Sequence, residues 1–318
     1  MQVLEDLYPS RVYDEPRITR RRDPVVWAEN RRTATGPLTD EQLDEFVDRG
    51  FLFIPELFTT PEVNALLDQI NELGKSPELR YSPECIYEPS SGSVRSLFNI
   101  HRINDLFARL TADQRIAAAA MQILGTDVYI HQSRVNLKPG FRGEQFYWHS
   151  DFETWHVEDG MPRQRAVSCS ILLTDNNAFN GPLMVIPGSH TKFVSCVGKT
   201  PDNHYRQSLR KQEYGVPDTD SLTQLVKDGG ITAPTGKAGS VLLFDCNIMH
   251  GSSGNISPWP RSNMFCVYNS VANQLQEPFG GSAPRPEFIA ARQMTPIVPT
   301  GNFLNSRGPA GFSGSGMP

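Results

Sequence analysis

Residues 145–162 read Gln145-Phe-Tyr-Trp-His-Ser-Asp-Phe-Glu-Thr-Trp-His-Val-Glu-Asp-Gly-Met-Pro162. Within this run His149 and Asp151 stand two apart. On an extended strand such a pair projects from one face, about 6.5–7 Å apart along the chain, so that imidazole and carboxylate reach one divalent ion. A second histidine from a distant strand would complete a face of two histidines and one carboxylate, leaving three neighbouring positions open. That arrangement suits Fe(II) chemistry with O2, because a co-substrate and oxygen can bind the metal together. His-x-Asp alone recurs by chance, so the reading depends on the text around it. His156 competes as a ligand, but it has the opposite two-residue phase to His149 and is expected to be structural or to support the ligands from behind.

Downstream and upstream of this run the grammar differs. From about Asp127, the segments Val128–Lys138, Arg165–Thr174, Leu183–Ile186, Ser240–Cys246 and Ser262–Ser270 are short and rich in β-branched or aromatic residues. Gly, Pro, Asn or Asp bound them, as strand ends require. Before Asp127 the text is helical. Thr39 with Gln42 forms a capping-box pattern, Leu43, Phe46 and Val47 give a stripe, and Gly50 closes the helix. Phe51–Ile54 reads as a short strand. Thr60-Pro61 opens a second helix that ends at Gly74, and Ala117–Leu124 forms a third, ended by Gly125. Helices first and strands after predict a mainly β fold with flanking helices around a double-stranded β-helix, the jelly-roll or cupin-like core. The expected layout is an extended arm over 1–37, a helical flank over 38–124, a core over 125–275 with a long irregular insertion near 190–238, and an extension over 276–318. All of it is expected to form a single folded domain. Residues 75–100 read as loop-rich, and the Gly-, Pro- and Ser-rich tail from Thr295 reads as mobile at its end.

Composition excludes several classes. Thirty basic against thirty-five acidic residues give a net charge of −5, and the Arg20-Arg21-Arg22 knot is followed by Asp23, so a solvated arm is expected there rather than a nucleic-acid footprint. No apolar run approaches the roughly 18 residues of a membrane-spanning helix. Met1–Pro16 lacks a basic start followed by an apolar stretch, so no secretory signal is expected. Five scattered cysteines without a Cys-x-x-Cys pair suggest a reduced, cytoplasmic protein. There is no His-Glu-x-x-His helix, no Gly-x-Ser-x-Gly elbow and no P-loop. Pro187-Gly188 before Ser189-His190 reads as a turn, not a nucleophile site.

The second histidine must be His101, His131, His190, His204 or His250. His250 is best placed, after the apolar strand Ser240–Cys246. Eleven residues on, Arg261 begins a strand whose Arg261, Asn263 and Phe265 share a face. A buried arginine there can hold a carboxylate bidentately, as anchoring a dicarboxylate co-substrate requires. On 128–138, Gln132, Arg134, Asn136 and Lys138 alternate onto one face, with His131, Ser133, Val135 and Leu137 on the other. Inside a barrel the first set would line a polar pocket for an anionic or zwitterionic ligand. Trp155, four residues past Asp151, can face a cationic ligand through its ring.

Taken together, the His-x-Asp pair, the Gly181–His190 turn, the distal His250 and Arg261 make the chain resemble the Fe(II)/2-oxoglutarate-dependent dioxygenases of the phytanoyl-CoA hydroxylase superfamily. Within it, Phe146–Pro162 looks like the extended motif of the ectoine hydroxylases. The resemblance implies His149, Asp151 and His250 as iron ligands. It implies Lys138 and Arg261 at the carboxylates of 2-oxoglutarate, with Asn136 and Ser252 nearby. It implies Gln132 and Trp155 holding ectoine, in a pocket shaped by Phe265, Phe244, Ala166 and Ser168. Halogenating relatives lack the carboxylate ligand, so Asp151 argues for hydroxylation. The implied reaction consumes O2, releases succinate and CO2, and places the hydroxyl at C5. The resemblance also implies a homodimer. Two readings stand beside it: the same chemistry on a proline-like zwitterion, and a metal-binding barrel without turnover.

Overall fold

Thr39 begins the first helix as its capping pattern requires. Its hydroxyl accepts from the Gln42 amide while the Gln42 side chain accepts from the Thr39 amide. The helix Asp40–Arg49 stops at Gly50, whose φ of 80° is a left-handed stop that glycine adopts freely. The helices Thr60–Leu73 and Gln114–Leu124 follow, the latter ended by Gly125 at φ 62°. In this computed structural model the described residues are 5–28, 35–88, 90–201, 203–208 and 214–306.

Twelve strands are described: β1 (Arg17–Arg20), β2 (Phe51–Ile54), β3 (Cys85–Tyr87), β4 (Val94–Phe98), β5 (Val128–Lys138), β6 (Phe146–His149), β7 (Ala166–Leu172), β8 (Leu183–Val185), β9 (Lys192–Ser195), β10 (Val241–Asp245), β11 (His250–Ser252) and β12 (Arg261–Ser270). A seven-stranded antiparallel sheet has the order β2-β10-β7-β12-β5-β4-β3, and a three-stranded sheet has the order β6-β11-β8. These two sheets form the jelly roll. The period of two along each strand divides its residues between two environments. On β7, Val167, Cys169 and Ile171 join the core under the helices, with Phe46, Leu66, Ile116 and Ile123. Ala166 and Ser168 face the space between the sheets, where Ala166 meets Trp155 and Ser168 meets Asp151.

Three expectations need correction. Residues 75–100 are not merely loop: the Pro77–Arg80 turn, β3 and β4 lie there, and β4 pairs with β5. Strands this short carry little pattern of their own, and the neighbouring strand decides them. The stretch 190–238 is also more regular than expected, with β9 and the helix Thr219–Gly229, which Asp218 caps. The arm is anchored rather than solvated. Its β1 pairs with β9, Tyr8, Arg11 and Asp23 are buried, and Arg21 reaches Asp245 at 2.8 Å. The first part of the tail is packed too, with Thr300 bonded to Ala112 and Phe303 fully buried. The mobile end expected of the tail lies in 307–318, outside the described residues.

Candidate metal centre and co-substrate pocket

His149 and His250 stand directly opposite each other on the antiparallel pair β6–β11. Their rings are 4.3 Å apart between centroids. Asp151 does not share the strand of His149, contrary to the sequence expectation. β6 ends at His149, Ser150 is extended, and Asp151 is the first residue of the helical turn Asp151–Thr154. A π-helical turn, Trp155–Asp159, continues it and closes at Gly160 with φ 81°. The chain folds inward here because the Phe152 amide donates to the Cys246 carbonyl. The ligand atoms converge regardless. His149 Nε2 lies 3.7 Å from Asp151 Oδ1, and His250 Nε2 lies 3.9 Å from Asp151 Oδ2. One ligand atom from each residue falls within 4.8 Å of the others.

Each imidazole is held by the backbone two residues before it. Nδ1 of His149 is 2.7 Å from the Tyr147 carbonyl, and Nδ1 of His250 is 3.1 Å from that of Ile248. A carbonyl only accepts, so both Nδ1 atoms carry hydrogen and both Nε2 lone pairs are free for a metal. Burial, then the neighbouring His250, pushes His149 down to about 4, keeping it neutral and ligating at neutral pH. Burial raises the Asp151 carboxyl, but His250, His149, Arg134 and the Ser168 hydroxyl outweigh it and hold the group ionised. Two imidazoles and one carboxylate fit a divalent transition metal with open positions, such as Fe(II).

Beside this triad lies a cationic pocket. Arg261 opens β12 directly across from Lys138 at the end of β5. The Lys138 ammonium donates to Ser252 Oγ at 2.8 Å and to the Ser253 carbonyl at 2.5 Å. Arg261 is 2% exposed, and its Nε and Nη1 have no hydrogen-bond partner. Burial, then Arg261 and Arg95, lowers Lys138 to about 6, and burial, then Arg95, lowers Arg261 to about 10. Among the described residues neither is paired with a carboxylate, since Glu88 is taken by Arg95 at 2.9 Å. Two adjacent buried basic groups without counter-charge resist being charged together unless an anion joins them. A small dicarboxylate fits that requirement. Asn136 stands two pairs further along on the same face, accepting from Ser96 at 2.8 Å.

The remaining sequence candidates divide into two groups. Phe244 is 5.2 Å from the His250 ring, it packs with Phe265, and Ser168 donates to Asp151 at 3.4 Å. Trp155 and Ala166 pack together under the helical turn, with Trp155 edge-on to His131 at 5.0 Å. Gln132 donates to the Ile289 carbonyl at 2.7 Å and accepts from Arg134. His131 departs from its expected face. The β5–β12 register slips between Val267 and Tyr268, so His131 turns toward Trp155 and lies 3.5 Å from Asp159. An inserted bulge residue is invisible in one strand's alternation. His156 is structural as expected, meeting Asp6 at 2.9 Å and the Met161 carbonyl at 2.8 Å. Ser189 donates to the Ile186 carbonyl within the turn after Gly188.

Arg134, which the sequence places with Gln132, Asn136 and Lys138 on the pocket face, has no role of its own in that reading. Its guanidinium lies 4.8 Å over the Phe265 ring, and Asp151 feels its charge. The signal was present in its spacing, midway between Gln132 and Asn136 on the same face.

A jelly roll holding two histidines and a carboxylate beside a buried cation pair defines the mononuclear non-haem metal oxygenases that use an oxo-acid co-substrate. The chain belongs to the phytanoyl-CoA dioxygenase (PhyH) family, whose pattern matches residues 46–263. It is 55% identical over 289 residues to the ectoine dioxygenase of Bordetella bronchiseptica, covering 91% of this chain and 93% of that one. The structure of EctD from S. alaskensis with 2-oxoglutarate and 5-hydroxyectoine is similar, with a TM-score of 0.82 and 46% identity, over 94% of this chain and 98% of the other. EctD from S. alaskensis with bound Fe also superposes at 0.82 and 46%, over 92% and 97%.

Proposed function

We infer that this chain hydroxylates ectoine, converting ectoine, 2-oxoglutarate and O2 into 5-hydroxyectoine, succinate and CO2. The observation that carries the reading is the convergence of His149, Asp151 and His250 beside the uncompensated Lys138–Arg261 pair. Likeness to the ectoine dioxygenases supplies the substrate.

Fe(II) held by the triad supplies O2 activation coupled to oxidative decarboxylation of the oxo acid. The protein's own groups do the rest. Arg261 takes the distal carboxylate of 2-oxoglutarate through its two unpartnered nitrogens, and Lys138 and Ser252 complete that end. Asn136 stands at its flank. Ectoine is a zwitterion, with a delocalised cationic ring and a carboxylate. Trp155, Phe244 and Phe265 wall the ring, Ala166 and Ser168 set its floor, and Gln132 and Arg134 take the polar edge. Arg134 suits the carboxylate, since it is a half-buried cation whose described hydrogen bond is to a neutral amide. Ser168 steadies Asp151, and the buried walls exclude water that would quench the reaction.

No described helix is long and apolar enough to cross a membrane. The five free cysteines suit a reducing cytoplasm. A second copy of the chain is a fitting partner, as in the homodimer that the resemblance implies.

The test is anaerobic loading with Fe(II) and 2-oxoglutarate, then air with ectoine, and mass spectrometry of succinate and 5-hydroxyectoine. About one succinate per hydroxyectoine is expected by the stoichiometry of the coupled reaction. His149→Ala should abolish both. Succinate without hydroxyectoine, or hydroxylation of a proline-like solute in its place, would overturn ectoine as the substrate. No succinate from folded, iron-loaded chain would overturn the enzyme reading.

A further inference from the structure

The segment Asp151–Asp159 carries four buried ionisable side chains that the reaction does not use: Glu153, His156, Glu158 and Asp159. Each is met by a group from far along the chain. Asp6 meets His156 at 2.9 Å. Ser10 donates to Glu153 at 2.6 Å, and Arg11 grips the same carboxylate through Nε at 3.0 Å and Nη2 at 2.7 Å. The third nitrogen of Arg11, Nη1, reaches Glu158 at 2.7 Å. From the other end of the chain, Arg285 holds Asp159 through two bonds of 2.7 and 2.6 Å.

Arg11 is the pivot of this arrangement. Its φ of 60° lies in the left-handed region, which a residue of its size seldom enters without compensation. Its side chain is 2% exposed. Gly215 closes over it so tightly that a Cβ there would lie 2.3 Å from Nη2. Two carboxylates buried side by side repel unless one cation spans both, and only a planar fork with several donors does so. Glu153 sits two residues after the metal ligand Asp151 and two before Trp155. Whatever fixes Glu153 therefore fixes the turn that carries both.

We propose that Arg11 is a positioning residue for hydroxylation: it reaches from the N-terminal arm and, through Glu153 and Glu158, sets the helical turn that aims Asp151 and Trp155. This rests on the ectoine reading given above. Loss of the fork leaves Glu153 without a cation and Glu158 with Arg285 alone at 3.7 Å, so the carboxylates must protonate or swing toward water. Either response shifts Trp155 relative to the metal position, while the Lys138–Arg261 pocket on the opposite strands stays in place.

The test compares wild type with Arg11→Met, Arg11→Lys and the triple variant Arg11→Met/Glu153→Gln/Glu158→Gln. Arg11→Met is expected to raise the ectoine KM roughly tenfold and the succinate released per hydroxyectoine about threefold, the scale of a small misplacement at a reacting centre. The 2-oxoglutarate KM should stay within about twofold, because the groups that bind it are not displaced. In metal-free protein, amide hydrogen exchange across 151–160 should accelerate. The triple variant removes the stranded anions and should recover much of that protection. Arg11→Lys, a point charge that can meet one carboxylate, should fall between wild type and Arg11→Met. It also serves as the readable variant if Arg11→Met does not fold.

Unchanged coupling and unchanged exchange would overturn the proposal. So would a parallel rise in both KM values with early unfolding, which marks a merely structural role. A wild-type chain that makes no hydroxyectoine would sink the functional reading instead, and the exchange comparison would still decide whether Arg11 holds the turn.

Discussion

Lys138 joins residue chemistry to solution behaviour most directly. It titrates near 6 instead of at its ordinary 10.5, because burial and two arginines disfavour the ammonium. Between those values the unfolded chain binds the extra proton, so this lysine's contribution to stability rises with pH through that window. Ligand binding has the opposite sign. A dicarboxylate restores the ammonium, so binding of 2-oxoglutarate at pH 8 should take up about one proton and weaken up to tenfold per unit as pH rises above 6. Anaerobic calorimetry in buffers of different ionisation enthalpy measures that uptake, and Lys138→Met should abolish it. Ser168 offers a second residue-level check. Its hydroxyl steadies a metal ligand without touching the metal position, so Ser168→Ala should weaken divalent metal binding by about tenfold. A Co(II) titration followed in the visible spectrum would report the change.

At the scale of elements, the turn after His149 is the most demanding part of the chain. Gly160 ends it with a left-handed φ, and a Cβ there would lie 2.1 Å from the Gln276 carbonyl. Gly160→Ala should therefore cost about 2–4 kcal/mol, combining backbone strain with overpacking. Urea unfolding would measure it. The same turn shows what sequence can and cannot reveal. β5 is legible from Val128 to Lys138 because its polar alternation is long, and the first helix is legible because Thr39, Gln42 and Gly50 mark both ends. The candidate metal triad is legible only with the text around it, since His-x-Asp recurs by chance and His250 is one of five histidines that could join the pair. The helical turn itself is not. Asp-Phe-Glu-Thr-Trp suits a strand as well as a helix, and the choice is made by Cys246 and Arg11, each far away in sequence. The slip at His131 depends on two strands at once. The arm's anchoring depends on acidic partners more than a hundred residues distant, which no local window contains.

The whole molecule is tied together by its ends. Arg21 crosses from the arm to Asp245 at 2.8 Å and also donates to the Asp23, Pro24 and Gln164 carbonyls. Asp245→Ala would strand that buried guanidinium and should cost about 3–5 kcal/mol, read as a lower unfolding midpoint in urea. The seven-stranded sheet has a related property with a bearing on biosynthesis. β12 lies between β7 and β5 near the middle of the sheet, yet it is the last described strand to be translated. Until it leaves the ribosome, those two neighbours have no partner between them and the nascent sheet remains split. Arg261 arrives on that strand, eleven residues after the final histidine of the triad. A growing chain thus acquires its metal ligands before it can retain the oxo acid. Seating β12 closes the sheet and completes the Lys138–Arg261 pair in one event, so the continuous sheet and the carboxylate pocket come into being together.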